Sequence, residues 1–143
     1  MAAMRDYIID NTDFTEDNCV IEDVGVFNVV QMMESPKKCI IVGFNGALPA
    51  SQVSDFGSLL IDWGIVVNAF FLLQGSPEDR LPILDAAYTF LDDFLLLIIQ
   101  DSTLGSQVMD ARLVEIEPPM TYTRNDMSEF MLLSFKFALK ENL

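Results

Sequence analysis

The clearest pattern of apolar positions is a strict alternation between residues 59 and 73. Every second residue there is apolar, which is the periodicity of a β-strand with one buried face. The other face mixes apolar residues with Asp62, Gly64 and Asn68. The pattern therefore predicts a strand whose first face builds the core. Its second face is expected to be half-covered, either by the same chain or by a neighbour.

A second apolar pattern, between Ser76 and Gly105, has the spacing of a helix. Ser76 suits the N-cap, Pro77 suits the first helical position, and Gly105 offers a stop. Two adjacent rows are apolar: Leu84, Tyr88, Leu91, Leu95 and Ile98, then Ile83, Ala87, Phe90, Phe94 and Leu97. Leu96 falls on the opposite, polar side, where it is either incidental or an interface residue.

The unbroken apolar run of this helix, residues 94–99, is too short to cross a membrane, which takes about 20 residues. The first ten residues also lack the long apolar segment of a secretory signal. We therefore expect a soluble, intracellular product.

The remaining patterns predict shorter elements. Ile40-Ile41-Val42 is typical of a strand, residues 47–58 of a loop, and residues 108–117 of another strand, with Tyr122-Thr123 extending the pairing. Residues 130–140 alternate again, with Met131, Leu133, Phe135, Phe137 and Leu139 on one face and Phe130, Leu132 and Lys136 on the other. The order predicts an α+β domain: an antiparallel-rich sheet of about four strands, with a long helix and an N-terminal helix packed on one face.

The N-terminal part gives the weakest pattern. Residues 1–14 are predicted to form an extended or flexible segment of a single domain spanning residues 1–143. Thr15 could cap a helix running to about Met33, although β-branched residues leave a strand over 24–33 as the alternative.

Composition changes the picture in two ways. The apolar fraction is 51%, which favours burial of some apolar surface in a partner subunit. The formal net charge is −14, which argues against ordinary nucleic-acid binding and against an anionic membrane surface. Cys19 and Cys39 have no metal-site spacing and are predicted to be buried free thiols.

The sequence offers no chemistry for catalysis. The absence of His excludes a Ser-His-Asp or Cys-His set and imidazole metal ligands. Asp92 and Asp93 diverge by about 100° on a helix, so they do not converge on one atom. The acidic stretch 10–18 lacks the turn glycine of a calcium loop. We therefore predict no enzyme, no cofactor and no metal.

Surface positions on the predicted elements are the candidate contacts with other subunits or partners. These are Phe130, Leu132, Lys136, Leu96 and Arg124. Arg124 precedes Asn125-Asp126, so a local salt bridge at a turn is the alternative to a partner contact.

Two stretches of the second half, "LDAAYTFLDDFLLLIIQDSTLGSQVMDARLVEIEP" and "YTRNDMSEFMLLSFKFAL", carry a resemblance to a known family. With them, the second half of the chain resembles the tail terminator, or tail-completion, proteins of long-tailed bacteriophages. The stretches "KKCIIVGFNGA" and "LLIDWGIVVNAFFLL" resemble the family's first hairpin. The acidic N-terminus departs from the family's pattern.

The resemblance implies a structural protein of the virion, at the junction of tail and neck. Such proteins form a ring, typically a hexamer, that halts polymerisation of the tail tube protein. The ring offers a docking surface to a head-completion or connector protein, and viral DNA passes through the lumen without sequence-specific binding. The strong acidity of this chain fits a channel wall that does not hold DNA.

Two other functions remain open at this point. A head-closure or adaptor protein would also form a neck ring, but on the portal side. An acidic DNA mimic would inhibit a DNA-binding protein, but it needs densely spaced surface acids, whereas the acids here are dispersed among many apolar residues.

Overall fold

The computed structural model describes residues 2–21, 38–47, 52–53, 59–123 and 129–142. Two helices and seven strands follow one another within these ranges. In chain order they are α1 (Ala2–Asn11), β1 (Cys19–Ile21), β2 (Lys38–Ala47), β3 (Gln52–Val53), β4 (Leu59–Leu73), α2 (Pro77–Gln100), β5 (Asp110–Ile116), β6 (Met120–Thr123) and β7 (Glu129–Asn142). The chain is therefore an α+β protein, as predicted.

The described strands form one mixed sheet around β4 and β7. The order is β1-β2-β4-β7-β5, with β3 added to β4 and β6 added to β7. The central pairing runs from Leu60 opposite Asn142 to Leu73 opposite Glu129. Only β1 and β2, among the described pairs, are parallel.

The prediction of an antiparallel-rich sheet of about four strands is thus only roughly right: it gives too few strands and did not include the parallel β1–β2 pair. Strands β1, β3 and β6 have between two and four residues, which is too few for a periodic pattern to show. The pairing predicted for Tyr122-Thr123 is confirmed, because these residues lie opposite Phe130 and Glu129 of β7.

Helix α2 begins as its sequence predicts. The side chain of Ser76 accepts a hydrogen bond from the Asp79 backbone N–H, and the Asp79 carboxylate accepts one from the Ser76 N–H at 3.1 Å. Gly75 precedes this capping box with a φ of 88°, a left-handed conformation that favours glycine. Both interactions fix where the chain turns from β4 into the helix.

The core lies between the helices and one face of the sheet. The buried residues of α2 are Ala87, Phe90, Phe94 and Ile98. They pack on the inward row of β4, which is Ile65, Val67, Ala69, Phe71 and Leu73, and on the matching row of β7. Both rows are the ones that the alternating patterns predict to be buried.

A second, smaller cluster occupies the opposite face of the sheet. It contains Cys39, Ile41, Phe70, Leu72 and Phe130, with Val20 and Leu132 packed against it. Cys39 and Phe130 are fully buried. Both faces of this end of the sheet are therefore covered. Further along β4 the second face is half-buried at Val66 and Asn68, which agrees with the predicted half-coverage.

The N-terminal segment predicted to be extended forms α1 instead. Met4, Tyr7 and Ile8 point into the core with the spacing of one helical face, and the Tyr7 hydroxyl donates to the Leu97 carbonyl at 3.3 Å. The helix ends where the Asn11 side-chain amide donates to the Tyr7 carbonyl. Three apolar contacts in a ten-residue helix are too weak a pattern to be recognised in a segment, residues 1–23, that carries seven acidic residues.

The helix predicted to begin after Thr15 does not form over residues 15–21. The Thr15 N–H donates instead to the Asn18 side chain at 2.7 Å, and the Cys19 N–H donates to the Thr15 carbonyl, which makes a turn into β1. The rest of that predicted helix, to Met33, lies outside the described residues. In the loop predicted over 47–58, Ala47 ends β2 and Gln52–Val53 form β3; the other residues are also outside the described part.

Candidate functional site

Exposed apolar side chains are concentrated on two surfaces of the described structure. Nine large apolar residues are exposed, and eight of them belong to these surfaces. The helix surface contains Leu81, Tyr88, Leu96 and Ile99 of α2. The edge surface is the free edge of the sheet along β5 and β6; it contains Met109, just before β5, and Val114, Ile116 and Met120.

The helix surface forms a stripe on the side of α2 that faces away from the core. At about 100° per residue, Leu81, Tyr88 and Ile99 lie within about 20° of one line along the helix. Asp85 and Asp92 lie between them on the same side. Ile99 is 79% exposed, an unusual value for so large an aliphatic side chain, so this face of the helix has no apolar cover from the described residues.

A groove of about 430 Å³ runs beside this stripe, between α2 and the end of α1. Phe14, Phe71 and Phe90 are its aromatic lining, and three carboxylates line it from Asp13, Asp85 and Asp93. Lys38 also lines the groove; its ammonium lies 4.5 Å from the centre of the Phe14 ring and forms an ion pair with Asp13. The groove thus combines an aromatic lining with an acidic rim.

Helix α2 is strongly acidic. It carries Glu78, Asp79, Asp85, Asp92 and Asp93 against one basic residue, Arg80. The Arg80 guanidinium is already paired with Glu129 of β7. In the part of the chain that the structure describes, Asp85, Asp92 and Asp93 form no ion pair. Their negative charge is therefore open to an outside partner.

The edge surface has a different charge balance. The Lys136 ammonium lies 3.2 Å from a carboxylate oxygen of Glu115 and from one of Glu117. The hydrogen bond to Glu115 raises the pKa of this ammonium most, and the hydrogen bond to Glu117 raises it further. Arg112 and Lys140 form no ion pair with the residues whose side chains the structure describes. Three cations thus stand against the carboxylates of Asp110, Glu115 and Glu117. The surface is nearly neutral in a chain of net charge −14.

The two surfaces lie on different sides of the subunit. Arg112 alternates along β5 with Ala111 and Leu113, which point into the core, so its exposed side chain is on the sheet face opposite the helices. Strand β5 ends the sheet on one side, whereas the groove is lined by residues of β2 and β4 toward the other.

The predicted contact residues are scattered over this arrangement. Leu96 is 53% exposed and belongs to the helix surface. Phe130 is fully buried in the second cluster, Leu132 packs against that cluster, and Lys136 is engaged by two carboxylates of its own chain. Arg124 lies outside the described residues. Their role in an interface stays a prediction, and only Leu96 presents a large exposed apolar surface.

The sequence reasoning missed most of the two surfaces. Tyr88 was assigned to an apolar row of the helix facing the core, but it is 48% exposed because that row continues around to the outer side. The spacing of Leu81, Tyr88 and Ile99, seven and eleven residues apart, was the available signal for a second apolar stripe. The unpaired Arg112 had no such signal, because its lack of a partner depends on the register of β5 and β7.

The described residues contain no cluster of His, Cys, Asp or Glu side chains arranged to hold a metal ion. No helix among them has the length and apolarity needed to cross a membrane. Cys19 and Cys39 are free and buried, as predicted. They point into different apolar clusters on opposite faces of the sheet.

Comparison with known proteins adds no relative: no family model matches the chain, and no curated protein matches it.

Proposed function

We propose that this chain is the subunit of a ring, a hexamer by the resemblance, that caps the tail tube of a long-tailed bacteriophage. The ring stops polymerisation of the tube and presents the surface to which the head docks. Viral DNA passes through its lumen. The protein carries no catalytic activity and acts by occupying its site.

The observation that carries the proposal is the presence of two separate exposed apolar surfaces on different sides of one subunit. A single self-complementary patch closes two copies into a dimer. Two different patches that fit each other join copies head to tail, and such contacts close into a ring when the rotation per subunit allows it. A ring subunit therefore needs two different patches, and the helix surface and the edge surface are two such patches.

The order and pairing of the elements support the phage family in particular. The antiparallel pair β2–β4 corresponds to the hairpin that the resemblance implies, and it is followed by the long helix α2 and by β5 and β7. The residue types of the turn "DSTLG" after α2 are explained by hydrogen bonds within the turn. The Asp101 carboxylate accepts hydrogen bonds from the Thr103 hydroxyl, the Gly105 N–H and the Thr103 N–H, which lower its pKa.

The charge supports the passage of DNA. Each copy has a net charge of −14, so the whole ring is strongly acidic. Phosphates repelled by a carboxylate-rich lumen wall would not form the many ion pairs that slow DNA. We expect the calculated potential of the lumen of the assembled ring to be negative.

The test is deletion of the protein from the phage that encodes it, followed by electron microscopy of the lysate. We expect full heads without tails, beside free tubes that are overlong or ragged. Wild-type protein supplied from a plasmid should restore joined particles. Tails of normal length attached to heads in the deletion would reject the proposal, and leaky heads beside normal capped tails would favour a ring on the head side.

A further inference from the structure

We propose that the acidic groove beside α2 in one copy receives the Arg112 side chain of the next copy. This inference rests on the proposed ring, and it names the contact that joins neighbouring subunits. It makes the groove and the edge surface two halves of one contact. Within one chain, the groove carboxylates Asp85 and Asp93 and the edge residue Arg112 form no ion pair with described side chains.

The groove already binds one basic side chain. Lys38 of the same copy sits over the Phe14 ring and pairs with Asp13, so an aromatic face and a carboxylate together hold an ammonium there. At the α2 side of the groove, Asp85 and Asp93 have no cation among the described residues. These two residues are eight positions apart, roughly 12 Å along the helix. The remaining space suits a second long cationic side chain.

Arg112 is the basic side chain best placed to enter such a groove. Among the described basic residues, Arg5, Lys38, Arg80 and Lys136 each have a carboxylate partner in their own chain. Of the two without one, Arg112 is exposed and Lys140 is half-buried. A guanidinium also pairs with carboxylates through two parallel hydrogen bonds, and the groove offers the carboxylates of Asp85 and Asp93.

The apolar residues beside each charge favour the same contact. Tyr88 lies on the helix surface, three residues after Asp85, and Val114 follows Arg112 by two residues in β5; both are about half exposed. Joining the two surfaces would therefore bury apolar area together with the ion pair. Pairing two helix surfaces instead would bring Asp85 and Asp92 of both copies together, and like charges oppose that dimer.

We choose a second copy, and not an unrelated basic protein, as the partner of the groove because both sides of the contact, the groove and Arg112, are present on this chain. A foreign basic segment would explain the acidic groove, but it would leave the unpaired arginine and the apolar edge surface without a role. Because the two surfaces lie on different sides of the chain, the contact is head to tail and compatible with ring closure.

Charge-swap variants test the contact by sedimentation velocity of the purified protein. Arg112→Glu is expected to weaken self-association about tenfold, which corresponds to the loss of a close interfacial charge pair. Asp85→Arg is expected to weaken it as well, although this change makes the chain less negative. The double variant, Asp85→Arg with Arg112→Glu, should recover most of the association.

Asp85→Arg separates a specific pair from general repulsion. If repulsion between acidic chains alone governs association, this variant associates more tightly than the wild type, and the proposal is overturned. Arg5→Glu is the matched control for Arg112→Glu, since it changes the net charge equally at a half-buried site of α1, which belongs to neither surface. It should leave association unchanged within about twofold.

A cysteine cross-link tests the geometry directly, in purified protein and in assembled particles. Asp85→Cys and Arg112→Cys variants are mixed and oxidised; Cys19 and Cys39 are buried in the fold and do not compete. We expect a dimer that contains one copy of each variant. Absence of this dimer in both settings, or its replacement by Asp85→Cys pairs alone, overturns the proposal.

The outcomes also separate this contact from the proposed function. Particles with a normal neck ring but no cross-link would refute the contact and leave the capping function standing. Loss of particle assembly by Asp85→Arg, without recovery in the double variant, would assign the groove to a different basic protein and refute the contact with a second copy. A cross-linked head-to-tail assembly from a phage whose tails form normally after deletion would refute the function and support the contact.

Discussion

The ring of Phe94 meets the ring of Phe135 edge to face, with centroids 5.0 Å apart and an interplanar angle of 80°. This pair joins the second half of α2 to the middle of β7, and both side chains are fully buried. Phe94 also contacts Phe90 and Phe137, so one aromatic cluster fastens the helix to the sheet. Edge-to-face pairs add about 0.5–1.5 kcal/mol beyond the burial of their area.

We therefore expect Phe94→Ala to lower the free energy of unfolding by about 3–5 kcal/mol, because it leaves a cavity at the centre of this cluster. Leu96→Ala, two residues away on the exposed side, should change it by less than about 0.5 kcal/mol. Urea denaturation followed by circular dichroism measures both. Equal destabilisation by the two variants would contradict the orientation of α2.

A second test concerns the start of α2 and compares two glycines with similar backbone angles, one before the helix and one after it. Gly75 has a φ of 88° and Gly105 a φ of 68°. A Cβ at Gly75 would lie 2.6 Å from the Asp79 carboxylate that closes the capping box, whereas a Cβ at Gly105 meets nothing within 4 Å.

Gly105→Ala should therefore cost only the backbone strain, about 1–2 kcal/mol. Gly75→Ala should cost that strain and also about 1 kcal/mol from the disturbed cap. Thermal unfolding of the two variants compares them directly. A larger loss for Gly105→Ala would mean that the capping box does not set the start of the helix.

The elements that sequence reasoning recovered are those with long, regular patterns. Strand β4 alternates over its whole length, and α2 has a capping signal at Ser76 and a wide apolar face, so both were predictable. Helix α1 was not, because Met4, Tyr7 and Ile8 are a short pattern whose meaning depends on the core they enter. Thr15 suits both a turn and a helix N-cap, so its sequence position alone does not distinguish the two. The hydrogen bond from the Thr15 N–H to the Asn18 side chain favours the turn.

The candidate surfaces were less predictable than the fold. Leu96 could be placed on the outer side of the helix by its spacing alone. Phe130, expected to face outward, is buried because the second face of the sheet is itself covered at that end. The pairing of β5 with β7 places Glu115 opposite Lys136, and Glu117, just beyond β5, also reaches the Lys136 ammonium. The same strand register leaves Arg112 without an ion-pair partner among the described side chains. A linear pattern does not contain that information.

Alkaline pH should destabilise the protein through its two thiols. Burial raises the pKa of Cys19 and Cys39 from 9.0 to about 12 in each case. Between these values the folded chain holds protons that the unfolded chain has lost. The stabilising contribution is therefore complete below about pH 9 and declines as the pH approaches 12, by at most about 1.4 kcal/mol per pH unit for each thiol.

Denaturation midpoints measured from pH 8 to pH 11 test this expectation. The variant with both Cys19→Ala and Cys39→Ala should show a shallower decline than the wild type, whatever its stability at pH 8. A thiol-reactive chromophore at pH 8 should label neither cysteine in native protein and both after unfolding. Rapid labelling of the native protein would contradict the burial of the thiols.

The central claim, that the chain forms the ring at the end of the tail tube, is tested most directly by cryo-electron microscopy of the neck of the phage particle. We predict a closed ring of this fold, most simply of six copies, seated on the last layer of the tail tube, with its lumen lined by net negative charge. Each α2 groove should face Arg112 of the neighbouring copy. A neck in which this fold is absent, or in which it occurs only on the portal side of the joint, would contradict the account.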